Sequence, residues 1–122
     1  MQLTVYQQLS DDAVLARVNG EIDMSTAEQF SSSLMTALNA ASAHPARLLI
    51  VDLNGVDFFG STGLNAVLQC HRCGLNASTA VRLVASTPLV VRPIEVTKLD
   101  GILALYPSVA AARRSGDPDL QR

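Results

Sequence analysis

The stretch "RLLIVDLNGVDFFGSTGL", residues 47–64, decides the fold. "RLLIVDL" shows no polar alternation, which marks a strand buried on both faces, as in the interior of a parallel sheet. An amphipathic pattern begins at Leu64. Leu64, Val67, Leu68, His71 and Leu75 share a narrow arc of a helix, and Gly74 and Asn76 are placed to end it. Between strand and helix, two hydroxyls, Ser61 and Thr62, lie between Gly60 and Gly63. Functional loops in such sheets gather at the carboxyl ends of strands, and this junction is at one.

The same logic extends in both directions. Upstream, "LTVYQQL" and "AVLARVNGEI" are rich in strand formers and are joined by a tight turn at "SDD". "STAEQFSSSLMTALNAASA" places Ala27, Phe30, Leu34, Leu38 and Ala41 at helical spacing. Ser25 or Thr26 is expected to cap it, with Glu28 and Gln29 as reciprocal partners. His44-Pro45 ends that helix. Downstream, "VRLVAS" reads as a strand. A helix capped by Ser86 or Thr87 and opened by Pro88 should be broken or kinked at Pro93. "ILALY" is a last strand, and Pro107 opens a final helix through Arg114. The pattern is that of an α/β domain over residues 1–114. It has a mixed, mostly parallel sheet of about five strands covered by about four helices. "SGDPDLQR", 115–122, reads as a flexible tail.

Composition removes several classes of function. A 122-residue chain, about half apolar and without tryptophan, has room for one core. A net charge of −2 with scattered arginines gives no electrostatic case for nucleic acid or for an anionic membrane. "LLIV" is far too short to span a bilayer. "MQLTVYQQLSDD" lacks the basic start and apolar stretch of a signal peptide. The expected location is therefore the cytoplasm, with Cys70 and Cys73 reduced.

Three chemistries compete for the Gly60–Gly63 junction. A nucleophile elbow needs glycine two residues before the serine, where Ser61 has Phe59, and neither His44 nor His71 is placed as its base. A phosphate loop has its lysine where this chain has Ser61. No enzyme, cofactor or metal is therefore expected. The third is a hydroxyl that another protein modifies. Ser61 would be a helix cap when bare, worth about 1 kcal/mol. When phosphorylated, it would be an anion at a helix start. "CHRC" has redox spacing, but Cys70 and Cys73 are far from the helix start and point away from the Leu64–Leu68 face, which leaves them as small flank residues and a redox role as the lesser reading. His71 is expected as a neutral, hydrogen-bonded core histidine.

"NGEID" (19–23) followed by "STAEQF" resembles the strand-end motif of STAS domains, the anti-sigma factor antagonist family. "LIVDLNGVDFFGSTGLNAVLQCHR" resembles that family's central strand, phosphoacceptor loop and second helix. "RLVASTP", "EVTKLD" and "LYPSVAAA" follow its remaining pattern, so the likeness covers roughly residues 3 to 113. The resemblance implies an anti-anti-sigma factor in a partner switch that controls transcription. Such a protein binds an anti-sigma factor, often a serine kinase, and so frees the sigma factor. Kinase phosphorylation weakens the binding, and a phosphatase can reset it. By this resemblance Ser61 matches the phosphoacceptor, with Thr62 the alternative, and Asp23 matches the acidic residue beside it; Asp23, Gly60, Ser61, Thr62, Gly63 and Leu64 are the expected partner-binding residues. The Asp23 carboxylate is expected to contact the kinase or to orient the Ser61 hydroxyl, with an acid or cap at the start of the following helix as the competing reading. Gly60 stands where many relatives have aspartate, and Lys98 where a helix-ending glycine is common. The alternative implied is a phosphorylation-independent or scaffold STAS protein within a larger signalling assembly, redox-modulated through Cys70 and Cys73.

Overall fold

Alternation, or its absence, sets each strand's place in the sheet. The structure, a computed structural model, describes residues 2–114; the expected tail at 115–122 lies outside them. In strand β3 (Leu48–Phe59) four consecutive residues, Leu48 to Val51, are buried, as a central strand covered on both faces requires. β1 (Leu3–Leu9) and β2 (Val14–Ile22) pair antiparallel across the turn at Ser10–Ala13. There the Ser10 hydroxyl donates to Asp12 Oδ1, and Arg113 forms an ion pair with Asp12. β4 (Ala80–Val84) and β5 (Ala104–Tyr106) complete the sheet in the order β1-β2-β3-β4-β5, with every pair after the first parallel.

The sequential order makes all three crossovers step the same way, so their helices share one face. Helix α1 (Ala27–Ser42) joins β2 to β3, α2 (Ser61–Asn76) joins β3 to β4, and α3 (Pro88–Val96) joins β4 to β5. They cover the main core, which includes Val14, Leu49, Val51, Leu83, Phe30, Leu34, Val67 and Ile94. Residues one step along the same strands, Leu15, Ile50 and Val84, face the other way. There α4 (Val109–Arg114) covers them with Ala112. Its start is capped by the Ser108 hydroxyl, which accepts from the Ala111 N–H at 3.1 Å.

Several expectations shift in detail. β3 runs on past Leu53 to Phe59, because the long β2 offers it a parallel partner. The pairing slips between Arg17 and Asn19 and again between Gly20 and Glu21. Gly55 sits at the first slip, where a Cβ would fall 1.8 Å from Asn19 Oδ1. Helix α3 stays short, nine residues with Pro93 inside it, and ends at Val96; two residues on, Lys98 has a φ of 62°, the left-handed geometry that glycine takes more easily. Gly74 does not end α2. It lies inside the helix, where a Cβ would meet Thr79 O at 2.7 Å and Val81 Cγ2 at 2.8 Å, so its role is close packing of α2 on β4.

The largest correction concerns which side of α2 faces the sheet. Gly63, Leu64, Ala66, Val67, Cys70 and Gly74 are buried, while Leu75 is 66% exposed. The helix is turned by less than one residue's step from the arc of its large apolar side chains. Its small residues allow the closest approach to the sheet, so they define the buried stripe. Cys70 is therefore a core residue and not a flank residue. His71 is half-buried beside a pocket lined by Leu75, Thr79 and Tyr106, and has no hydrogen-bond partner among the described residues. The core histidine expected from the wheel is not there.

Candidate functional site

Two parallel strands end side by side and deliver the site. Ile22 of β2 pairs with Phe59 of β3, and the Gly60 N–H donates to Ile22 O at 3.0 Å. Asp23 and Gly60 are thereby held side by side at the carboxyl end of the sheet, each one residue past its strand. Gly60 is the residue before the first turn of α2; its φ of −90° and ψ of −177° are extended backbone that any residue can adopt. Its carbonyl accepts from the N–H groups of Gly63 and Leu64. Ser61 is thus the first helical residue and not the cap. It is exposed, whereas Thr62 is half-buried. The N–H groups of Ser61 and Thr62 have no acceptor among the described residues, as expected for the open start of a helix.

The packing beneath Ser61 is tight. A Cβ on Gly63 would lie 2.8 Å from Ile22 Cγ2 and 2.9 Å from Phe59 Cε1. Glycine here lets the first turn of α2 rest directly on the ends of β2 and β3. Leu64 and Val67 continue that contact into the core. The Ser61 position is therefore rigidly backed and open on its outer side.

Asp23 does something other than orient Ser61, and no hydrogen bond joins the two. Its Oδ1 accepts from the Ser25 N–H at 2.8 Å, the Ser25 hydroxyl at 2.6 Å and the Thr26 N–H at 3.2 Å. The Ser25 hydroxyl, followed by those N–H groups, holds the carboxyl below the usual carboxylate range. The start of α1 also departs from the expected capping box. Thr26 Oγ1 accepts from the Asp23 N–H and donates to Glu21 O at 2.7 Å, and Gln29 Nε2 reaches Leu3 O instead of its own helix start. Asp23 is thus the organiser of the β2–α1 turn beside the Gly60 junction.

Sequence reasoning missed two apolar side chains at this end of the sheet. Met24 is 88% exposed and Phe58 is 48% exposed. The signal was present in "DFF": neighbouring strand residues point to opposite faces, so with Phe59 buried, Phe58 must turn outward. The Phe58 ring lies against Gly60, within 3.3 Å of where a Cβ would be. An exposed hydroxyl flanked by exposed apolar groups and a turn-fixed carboxylate has the chemistry of a protein-docking surface. Among the described residues no cluster of three or more His, Cys, Asp or Glu is placed to hold a metal. No described helix is long and apolar enough to cross a membrane.

Residues 5–112 match the STAS domain. The chain belongs to the STAS domain family. Its sequence is 34% identical over 110 residues to the Mycobacterium tuberculosis anti-sigma-F factor antagonist RsfA, covering 86% of this chain and 80% of RsfA. Its structure superposes on an anti-sigma factor antagonist from Mycobacterium paratuberculosis with a TM-score of 0.81 at 30% identity, covering 93% of this chain and 95% of that one. The unphosphorylated form of SpoIIAA shares the fold, with a TM-score of 0.70 at 20% identity over 91% of this chain and 95% of SpoIIAA. The STAS assignment fits the mixed, mostly parallel five-stranded sheet derived above.

Within this STAS domain the cysteines are unequal. Burial pushes the Cys70 thiol up to about 12, with Cys73 adding to the shift, so at neutral pH Cys70 is an unreactive thiol. Cys73 is half-buried. Alkylation by iodoacetamide should therefore label the folded protein at Cys73 alone. Cys70 should gain label only in denaturant, as read by peptide mass mapping. Equal labelling of both in the folded state would contradict the packing of α2.

Proposed function

We propose that this protein is an anti-sigma factor antagonist that binds its anti-sigma factor when Ser61 is unmodified and releases it when Ser61 is phosphorylated. The anti-sigma factor would itself be the serine kinase, and a serine phosphatase would restore binding. Bound antagonist frees the sigma factor, so the Ser61 hydroxyl sets transcription. The relatives with the same function in their names support the first part of this reading. The observation that carries the second part is the exposure of Ser61 at a rigid helix start, above Gly63 packed on Ile22 and Phe59. A phosphate there meets unbonded N–H groups and the positive end of the α2 dipole, so the fold tolerates it. A partner surface closed over the loop would have to bury that charge.

SpoIIAA is known in a phosphorylated as well as an unphosphorylated form. At 20% and 19% identity the likeness concerns the fold, and the case for Ser61 rests on its own surroundings. Thr62 is the weaker candidate because it is half-buried. The direct test is incubation with ATP and a cognate anti-sigma kinase, followed by intact mass and phosphosite mapping. One added phosphate on Ser61 is the expected result. A protein that binds its anti-sigma factor but is never phosphorylated would be a phosphorylation-independent antagonist.

Asp23 has a supporting place in this switch. Asn in its place keeps the Oδ1 acceptor and suits such a turn, so Asp23→Asn should leave the melting temperature close to wild type. It removes one negative charge from the docking edge. The expected result is slower phosphorylation or altered anti-sigma affinity in a titration. Wild-type values for both would assign Asp23 to the turn alone.

A further inference from the structure

The outer edge of β1 lacks the protection that exposed strands usually carry. Gln2 O accepts from the Glu21 N–H, so the even-numbered residues of β1 direct their backbone groups toward β2. The odd-numbered residues direct theirs outward. Gln29 of α1 satisfies Leu3 O from that side. The N–H and C=O groups of Val5, Gln7 and Leu9 face away from β2, which is the only strand beside β1 among the described residues. Edge strands of monomers are normally guarded by charge, proline or a bulge. "QLTVYQQLS", 2–10, has no charged residue and no proline, and "QFSSSLMTALNAASA", 29–43, is also uncharged. The β1–β2 register is unbroken from Leu3 to Leu9.

We propose that β1 pairs with β1 of a second copy of this chain across a twofold axis at Tyr6, making one continuous sheet. Three observations select a second copy as the occupant. Tyr6 is the midpoint of Leu3–Leu9, so antiparallel pairing about it centres the contact on the strand. With that centre Val5 lies opposite the partner's Gln7 and Gln7 opposite the partner's Val5. Both have outward backbone groups, so the two pairs supply four hydrogen bonds. Tyr6 then faces its own counterpart at a non-hydrogen-bonded position, where side chains come closest, and its ring is 62% exposed to meet it. The strand carries no charge, so self-pairing brings no like charges together at the axis. On the helix side, Val5 and Gln7 border a groove of about 210 Å³ with Ser32, Ser33 and Thr36 of α1. These small hydroxyl side chains leave room for the second copy's strand and can hydrogen-bond its Gln7. Gln29 already occupies the Leu3 end, so the contact is a short one and the dimer reversible.

Sedimentation equilibrium from micromolar to millimolar protein tests this. The average mass should rise from that of one chain, 12.9 kDa, toward twice that value. Gln7→Pro removes an N–H that points away from β2, so it should fold as wild type by circular dichroism yet sediment as one chain throughout. Register is read separately by oxidation in a Cys73→Ser background, where the remaining Cys70 is buried. Tyr6→Cys should cross-link to a dimer and Gln7→Cys should not. A wild-type mass that never rises would overturn the proposal. So would association that survives Gln7→Pro, or cross-linking that does not favour position 6.

Discussion

Ser61→Glu should bind the anti-sigma factor at least a hundredfold more weakly than wild type while melting at nearly the same temperature. Ser61 is exposed at the first position of α2, so a longer acidic side chain can extend into solvent. Its charge lies at the favourable end of the helix dipole, worth about 0.3–1 kcal/mol to the folded state. The complex behaves differently. A partner seated on Met24, Phe58 and the first turn of α2 would enclose the carboxylate without a counter-charge. A penalty of about 3 kcal/mol is modest for a buried unpaired charge, and it corresponds to a factor of roughly a hundred in affinity. Ser61→Ala should bind constitutively and accept no phosphate. Isothermal titration of the three proteins against one anti-sigma factor separates these outcomes, and equal affinities would remove Ser61 from the interface.

Gly63→Val should cost about 3 kcal/mol of stability, which for a chain of this size lowers the melting temperature by roughly 10 °C. Helix propensity alone would favour replacing a glycine within α2. The structure opposes it, because a Cβ at Gly63 already falls within 3.0 Å of Ile22 Cγ2 and of two Phe59 ring atoms. A β-branched side chain adds two methyl groups at that contact. Gly63→Ala should also destabilise, by less, and the ordering Gly above Ala above Val is the informative readout in thermal melts. A more stable Ala variant would show that α2 does not rest on the ends of β2 and β3.

The fold was legible where large apolar side chains carry the pattern. "RLLIVDL" announced a central strand because both faces of β3 are buried, and His44-Pro45 and Pro93 marked where α1 ends and where α3 stays short. Legibility failed where small residues decide. The buried stripe of α2 is built on Gly63, Ala66, Cys70 and Gly74, which score weakly on any hydrophobic wheel yet pack closest. That is why Cys70 looked peripheral, why His71 looked central and why Gly74 looked like a terminator. Polar geometry was the second gap. Asp23 was legible as a residue of the junction, but its carboxylate had several local partners to choose from. Ser25 and the Thr26 N–H, two and three residues away, outcompete a hydroxyl on another strand's end. The Gly60–Ser61 junction itself was readable because the strand-to-helix switch falls at a glycine, Gly60. The exposure of Phe58 needed the strand's extension to Phe59 to be known first.

The central claim is that one phosphate on Ser61 switches anti-sigma binding. It is tested most directly by preparing the protein quantitatively phosphorylated, mapping the site, and titrating both forms into the same anti-sigma factor. The expected result is a single phosphate on Ser61, unchanged circular dichroism, and an affinity at least a hundredfold below that of the unmodified form. Equal affinities of the two forms, or phosphate carried by Thr62 alone, would contradict it.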